Sequence, residues 1–292
     1  MILRKALIDD RDDINKISEV TWEGHDYLKN IFDKWINEKD SDFSVLEKDG
    51  KVIGTIKLTY LQNREYWLEG LRIHPDYQGR GYAKYLTKEY LKKIKNLDFD
   101  LVSMATFYTS KSVDIVKKYG FYLLNSLKIY RINEKKEIND IKNYEVVENY
   151  NDVMFILDSE QLKVRKGYFT FDWTAINASA ELIKKLVDRK EVYVKKIEGK
   201  IVSLIILSKM YNKEGIMSIS FIWGENHFDE ALDFAISKYN DVYRPGSEFL
   251  YMCEDDEQLR NILVKKGFEE ASKEKNDFVI YGVRSPEEIK NI

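Results

Sequence analysis

Hydrophobic and polar positions alternate along this chain in short runs that give way to helical spacing, and the order of these patterns occurs twice. "FSVLEKDGKVIGTIKL" (43–58) alternates up to Asp49-Gly50 and then resumes, which predicts a β-hairpin. "VYVKKIEGKIVSLIIL" (192–207) repeats it around Glu198-Gly199. Likewise "DIVKKYGF" (114–121) returns as "NILVKKGF" (261–268), a helix end whose glycine suits a left-handed cap. The two matches lie at nearly equal separations, 43 to 192 and 114 to 261, so a duplicated unit is expected.

Each copy runs in the same order. A first strand ("MILRKAL"; "YEVVE") precedes helical material and the hairpin, and a further strand follows ("YWLEGLRI"; "IMSISFIW"). A helix ("GYAKYLTKEYLKKI"; "FDEALDFAISKY"), a strand ("DLVSMATF"; "EFLYMCE"), a short helix and a last strand ("YLLNSLKIYRI"; "NDFVIYGV") complete it. This order predicts an α/β chain of two tandem domains, each a central mixed, mostly antiparallel sheet with helices on both faces. The charged stretch "NEKKEINDIKNY" reads as a solvated connector and places the boundary between 142 and 143, giving domains 1–142 and 143–292.

The totals narrow the function. At 292 residues, 44% hydrophobic, the chain buries sizeable cores, and a formal net charge of −3 argues against a general nucleic-acid binder. Cys253 is the only cysteine, so an internal disulfide is excluded, and in "EFLYMCED" it reads as a buried small apolar residue. His25, His74 and His227 are too scattered for a metal-ligand cluster, so no metal is expected. No apolar run approaches about 20 residues, nor does a charged leader precede an apolar core; a cytoplasmic protein, monomer or homodimer, is expected.

"IHPDYQGRGYAKYL" (73–86) is the stretch that looks least like scaffolding. Apolar residues at Ala83, Leu86, Tyr90 or Leu91, and Ile94 mark one buried helical face. Gly79-Arg80-Gly81 therefore stands at a helix N-terminus, where the first N–H groups lack intrahelical acceptors and the macrodipole is positive. Such a place binds anions, phosphate above all. The Walker pattern is absent, and the dinucleotide fingerprint fails at Lys84, where its third small residue should stand.

With "YWLEGLRI" before it and "KKYGF" after it, this stretch resembles the acetyl-CoA-binding signature of the GNAT superfamily of N-acetyltransferases. Gln78, Gly81 and Ala83 match its Gln/Arg-x-x-Gly-x-Gly/Ala. The resemblance covers about residues 1–135, and extends to the second copy in the order of its elements. It implies that the backbone of Gly79, Arg80, Gly81, Tyr82 and Ala83, with Gln78, holds the pyrophosphate of coenzyme A. It further implies that two parallel strands splay, and that pantetheine pairs with the first of them along Leu71, Arg72 and Ile73 like an added strand. A backbone N–H near Leu71 would polarise the thioester carbonyl.

By the same resemblance a carboxylate serves as base. Glu69 is the candidate, expected by strand alternation to share a face with Trp67 and Leu71 and to be partly desolvated. A strand glutamate paired with a lysine is the alternative. The family's usual tyrosine acid is missing: its position falls on Val116, and Tyr119 and Tyr108 are only neighbours in sequence. The acceptor site is expected over "TWEGHDYLKNIF" (21–32), where Trp22, Glu23, His25, Asp26 and Tyr27 mix aromatic and acidic groups that suit a cationic amine.

In the second copy "GENHFDEA" (224–231) replaces the phosphate loop, with Glu225, Asp229 and Glu230 at a helix start, and Ser218 stands opposite Glu69. This copy is expected to keep the fold without binding coenzyme A, and to complete the acceptor pocket or bury an edge of the first. Together these readings imply acetyl transfer from acetyl-CoA to a primary amine of a small molecule or peptide, by direct attack in a ternary complex. The alternatives are transfer of a longer acyl group and a non-catalytic coenzyme A sensor.

Overall fold

The computed structural model describes residues 1–24, 26–138, 141, 143–209, 215–273 and 277–292. The chain forms two compact units, residues 1–124 with 280–292, and residues 125–279. The division expected between 142 and 143 touches Lys142, outside the described residues. The units divide at 124/125 and again at 279/280, the last strand of each sequence repeat lying beside strands of the other repeat.

In the first unit the elements are β1 (Ile2–Lys5), α1 (Arg11–Val20), α2 (Leu28–Asn37), β2 (Ser41–Lys48), β3 (Lys51–Gln62), β4 (Glu65–Ile73), α3 (Tyr82–Ile94), β5 (Leu101–Phe107) and α4 (Lys111–Lys118). The sheet runs β1-β2-β3-β4-β5, with the strand Phe278–Val283 beside β5. Its first four strands pair antiparallel, and β4 and β5 pair parallel. Asp49 and Gly50 both take positive φ, 53° and 75°, as a tight hairpin between β2 and β3 needs.

Side-chain alternation gives this sheet two buried faces. On one, Phe43, Val45 and Val52 pack with Ile14, Ile17, Leu28, Phe32 and Trp35 of α1 and α2. On the other, a Cβ at Gly54 would lie 2.6 Å from Ile73 Cδ1 and 3.6 Å from Leu86 Cδ2, so α3 sits there. The apolar stripe predicted for α3 is buried at Leu86, Tyr90, Leu91 and Ile94.

The second unit contains β6 (Tyr122–Ile132, from Asn125 on), β7 (Glu145–Val146), α5 (Glu160–Val164), β8 (Tyr168–Phe171), β9 (Thr174–Asn177), α6 (Ala180–Asp188), β10 (Val192–Ile197), β11 (Lys200–Ser208), β12 (Ile216–Trp223), α7 (Phe228–Val242), β13 (Glu248–Cys253), α8 (Glu257–Lys265) and β14 (Glu269–Glu270). The order β7-β10-β11-β12-β13-β6 repeats the first sheet, again with one parallel pair, β12 with β13. Glu198 and Gly199 turn its hairpin at φ 51° and 76°. Gly267 caps α8 at φ 85°, as Gly120 caps α4 at 96°. Among the described residues no helix is long and apolar enough to cross a membrane.

Candidate active site

The parallel pairing of β4 with β5 stops early. Its register runs Glu65↔Leu101, Tyr66↔Val102 and Trp67↔Ser103, whereas β4 continues to Ile73 and β5 to Phe107. The strands therefore part beside residues 68–73. The His74 N–H bonds the Ile53 carbonyl and Arg72 pairs with Thr55, so by alternation the backbone groups of Leu71 and Ile73 turn away from β3. The Leu71 carbonyl accepts from Arg72 Nη1 at 2.9 Å and the Ile73 carbonyl from Gln78 Nε2 at 3.0 Å. In an antiparallel pair, a residue's N–H points the same way as its C=O.

The opening leads to the glycine loop. After the turn Pro75–Tyr77, Gly79 and Gly81 take φ 74° and 83°, and a Cβ on either would meet no atom within 4 Å. Gly81 is the N-cap of α3 and no side chain caps it. Among the described residues, the amides of Gly79, Arg80, Gly81, Tyr82 and Ala83 make no hydrogen bond within the protein. Cations stand near: Arg80 lies 5.8 Å from the Tyr77 ring, and Lys48 5.9 and 5.6 Å from those of Tyr77 and Tyr82. Open glycines, free amides and flanking cations are what a diphosphate requires, so the residues present fit coenzyme A. Lys48 is invisible to motif reading because it belongs to the hairpin.

A bulge then rearranges the face of β4. The pairs Thr55↔Arg72 and Lys57↔Glu69 leave two residues, Gly70 and Leu71, opposite Ile56. Gly70 takes φ 68°, and a Cβ there would come within 2.7 Å of the Trp35 ring. The bulge reverses the alternation, which corrects the expectation that Glu69 shares a face with Leu71. Glu69 shares it with Trp67 and with Arg72, on the side covered by α1 and α2.

On that face Glu69 Oε1 accepts from Lys57 Nζ at 2.9 Å and from the Thr59 hydroxyl, and its side chain is 21% exposed. Arg72 also points there. Its Nε and Nη2 donate to the buried Asp26 carboxylate at 3.1 and 3.2 Å, and its guanidinium lies 4.0 Å from the Trp22 ring and 5.4 Å from that of Tyr27. Asp26 is therefore an ion-pair partner rather than an open acidic contact. Trp22, Glu23 and Gly24 run at φ 49°, 57° and 87°, with Trp22 and Glu23 exposed; Tyr27 packs edge-on against Trp35 at 6.0 Å. His25 lies outside the described residues.

Val116 is buried, and the Tyr119 hydroxyl donates to the Lys84 carbonyl at 3.2 Å; burial raises that phenol above its ordinary range. Tyr108 packs on Phe107 at 5.1 Å.

The second unit differs at each of these points. Gly224 is crowded, since a Cβ there would sit 2.5 Å from the Val202 carbonyl. The acids opening α7 are paired at home: Glu230 with Lys195, and Asp229 with Lys266 at 2.9 Å. The Glu225 side chain lies outside the described residues. Pairing of β12 with β13 ends at Ile219↔Tyr251, and just beyond it the Met252 carbonyl accepts from Arg165 Nη2 at 2.7 Å. The opening there holds a guanidinium of the protein itself. Ser218, opposite Glu69 in the repeat, accepts from the Asp172 amide at 2.9 Å.

Comparison with known proteins agrees with this geometry. Residues 8–121 match the model of the acetyltransferase (GNAT) family. Over 86 residues the chain is 38% identical to a histidine N-acetyltransferase of Xenopus tropicalis; the match covers 29% of this chain and 26% of that protein's length. A GCN5-related N-acetyltransferase from Sphaerobacter thermophilus has the same fold (TM-score 0.63, 11% identity) over 100% of this chain and 96% of that one. A tandem GNAT protein from the clavulanic acid biosynthesis pathway superposes with TM-score 0.56 at 12% identity, covering 97% of each chain. Two sheets of one topology, a parted parallel strand pair and an open glycine loop at a helix start thus agree with the match of residues 8–121 to the acetyltransferase (GNAT) family.

Proposed function

We propose that the first repeat, residues 1–142, catalyses acetyl transfer from acetyl-CoA to a primary amine of a small molecule or peptide, by direct attack in a ternary complex. The observation that carries this reading is the parting of β4 from β5 beyond Trp67 and Ser103, beside a loop whose amides are unbonded. Acetyl-CoA, when bound, supplies the acetyl group as a thioester. The amides of Gly79, Arg80, Gly81, Tyr82 and Ala83 hold the diphosphate, with Lys48 and Arg80 adding charge. The Leu71 and Ile73 backbones orient the pantetheine arm, and Gln78 gives up its bond to Ile73 if that carbonyl is needed. The Leu71 N–H stabilises developing negative charge on the thioester oxygen.

An amine attacks only when neutral. Glu69, partly exposed on the face beside Arg72, takes the proton from the acceptor ammonium, directly or through one water. Trp22, Glu23 and Tyr27 border the acceptor, and an aromatic and acidic rim suits a cation. Histidine and other amino acids are the first acceptors to test, because the curated relative is named for histidine. The second repeat keeps the fold without a coenzyme A site, its loop crowded at Gly224 and Asp229 and Glu230 already paired.

The test is a titration with acetyl-CoA, followed by release of free thiol with histidine, other amino acids, polyamines, aminoglycosides and peptides. One coenzyme A per chain, weakened about tenfold or more in Gly81→Asp, together with one responding class of amine is the expected result. Binding without turnover on the whole panel favours the second reading, a coenzyme A sensor. The specific observation behind that reading is that Val116 stands buried where the family's tyrosine is usual.

A further inference from the structure

Lys57 carries an ammonium that the proposed chemistry does not use. It is 1% exposed, deep between β3 and α2, 4.7 Å from the centre of the Trp35 ring. Its Nζ lies 2.6 Å from Glu38 Oε2 and 2.9 Å from Glu69 Oε1, and it donates to the Thr59 hydroxyl, which bonds Glu69 in turn. Taking an ammonium out of water costs several kcal/mol, so a buried lysine must be answered by charge. Here two carboxylates answer it, Glu38 just past the end of α2 and Glu69 on β4. Both keep a solvent-facing edge, at 29% and 21% exposure.

We infer that Lys57 is a positioning residue for acyl transfer: held between Glu38 and Glu69, it fixes the Glu69 carboxylate on the acceptor face with one oxygen turned to the acceptor. This rests on the reading of Glu69 as the base. The groups facing Glu69 are Lys57 and Thr59 from β3, Glu38 from the end of α2, and, one step along β4, Arg72 already neutralised by Asp26. Lys57 neutralises, and Glu38 competes for it. The ammonium stays put throughout: the proton passes from the acceptor ammonium to Glu69, and the bonds from Lys57 and Thr59 hold one carboxylate oxygen so that the other is presented.

Two substitutions should therefore act with opposite sign. Lys57→Met keeps the length and removes the charge, so the acid limb of kcat/KM should move to higher pH. Glu38→Gln, at a half-exposed position, leaves Lys57 to Glu69 alone, and the acid limb should move to lower pH. The readout in the full chain without ligand is the carboxyl carbon shift of Glu69 in glutamate-labelled protein against pH, with Glu69→Gln identifying the signal. Acetyl-CoA affinity should stay within twofold in both variants, which also shows that they fold. The acid limb of kcat/KM, with the amine that the panel selects, should follow the carboxyl titration in each.

Shifts of the same sign, or none in Glu38→Gln, overturn the charge-sharing role even if Lys57→Met fails to fold. Shifts in the carboxyl titration that the acid limb ignores overturn the role in transfer. A Glu69→Gln variant with unchanged rate and profile removes the base itself, a separate result from failure of Lys57.

Discussion

Arg72 and Asp26 form a forked ion pair, Nε to Oδ2 at 3.1 Å and Nη2 to Oδ1 at 3.2 Å, with the Asp26 side chain wholly buried. The pair ties β4, at the mouth of the strand opening, to the segment between α1 and α2. Trp22 lies over the same guanidinium, and the chain tolerates two consecutive non-glycine residues at positive φ to place it there. Asp26→Asn removes the charge while keeping the shape, and leaves a largely buried guanidinium without its anion. The expected loss is about 3–5 kcal/mol, read by chemical denaturation. Arg72→Lys keeps the charge but not the fork, and should fall between the two. A loss under about 0.5 kcal/mol in Asp26→Asn would show that the pair holds nothing in place.

The bulge at Gly70 is the next point of leverage. With φ at 68°, and a Cβ 2.7 and 2.8 Å from Trp35 ring atoms, alanine is both strained and overpacked there. Gly70→Ala should cost about 2 kcal/mol or more. It should also depress turnover more than acetyl-CoA affinity, because Glu69 and Arg72 take their common face from this bulge while the loop at 79–83 lies beyond it. Equal losses in both would place the effect in global stability.

Much of this arrangement is legible along the chain, and what is hidden is hidden for physical reasons. The turns at Asp49-Gly50 and Glu198-Gly199, and the glycine loop at 79–81, are local features, and their residue types announce them. Gly70 carries no such signal, since one glycine in an alternating run does not say which residue is extra, and the face of every later side chain follows from that. Lys57 reads as a hairpin lysine until Phe43, its strand partner, is seen packed on Trp35 with it. The link between Asp26 and Arg72 is long-range, as is the placement of each repeat's last strand beside strands of the other repeat. No window along the sequence holds both partners.

Cys253 is buried, and burial, reinforced by Glu254, pushes its thiol well above its ordinary range. A thiol reacts as thiolate, so the native protein at pH 8 should be inert to a disulfide reagent and label only as fast as it opens. Labelling should turn rapid in denaturant, with one thiol per chain. Fast labelling of the folded chain would contradict the burial of β13.

Asp10 gives a prediction in pH. Burial by itself pushes its carboxyl upward, but the Arg4 guanidinium, bonded at 2.7 Å to each oxygen, and the Leu7 amide at 2.7 Å outweigh it and hold the carboxyl below the usual range. A carboxyl lowered in the folded state stabilises above its unfolded value, near about 3.9, and loses that contribution as pH falls through the folded one. Asp10→Asn should therefore cost about 1.5–3 kcal/mol at pH 7 and nearly as much at pH 5. The gap to wild type should narrow as pH falls below about 4 and the carboxyl takes up its proton. Denaturant melts at these pH values separate this from a shape effect: a gap that stays constant down to pH 2 means that Arg4 and Leu7 recognise the geometry of residue 10, and that its charge contributes nothing.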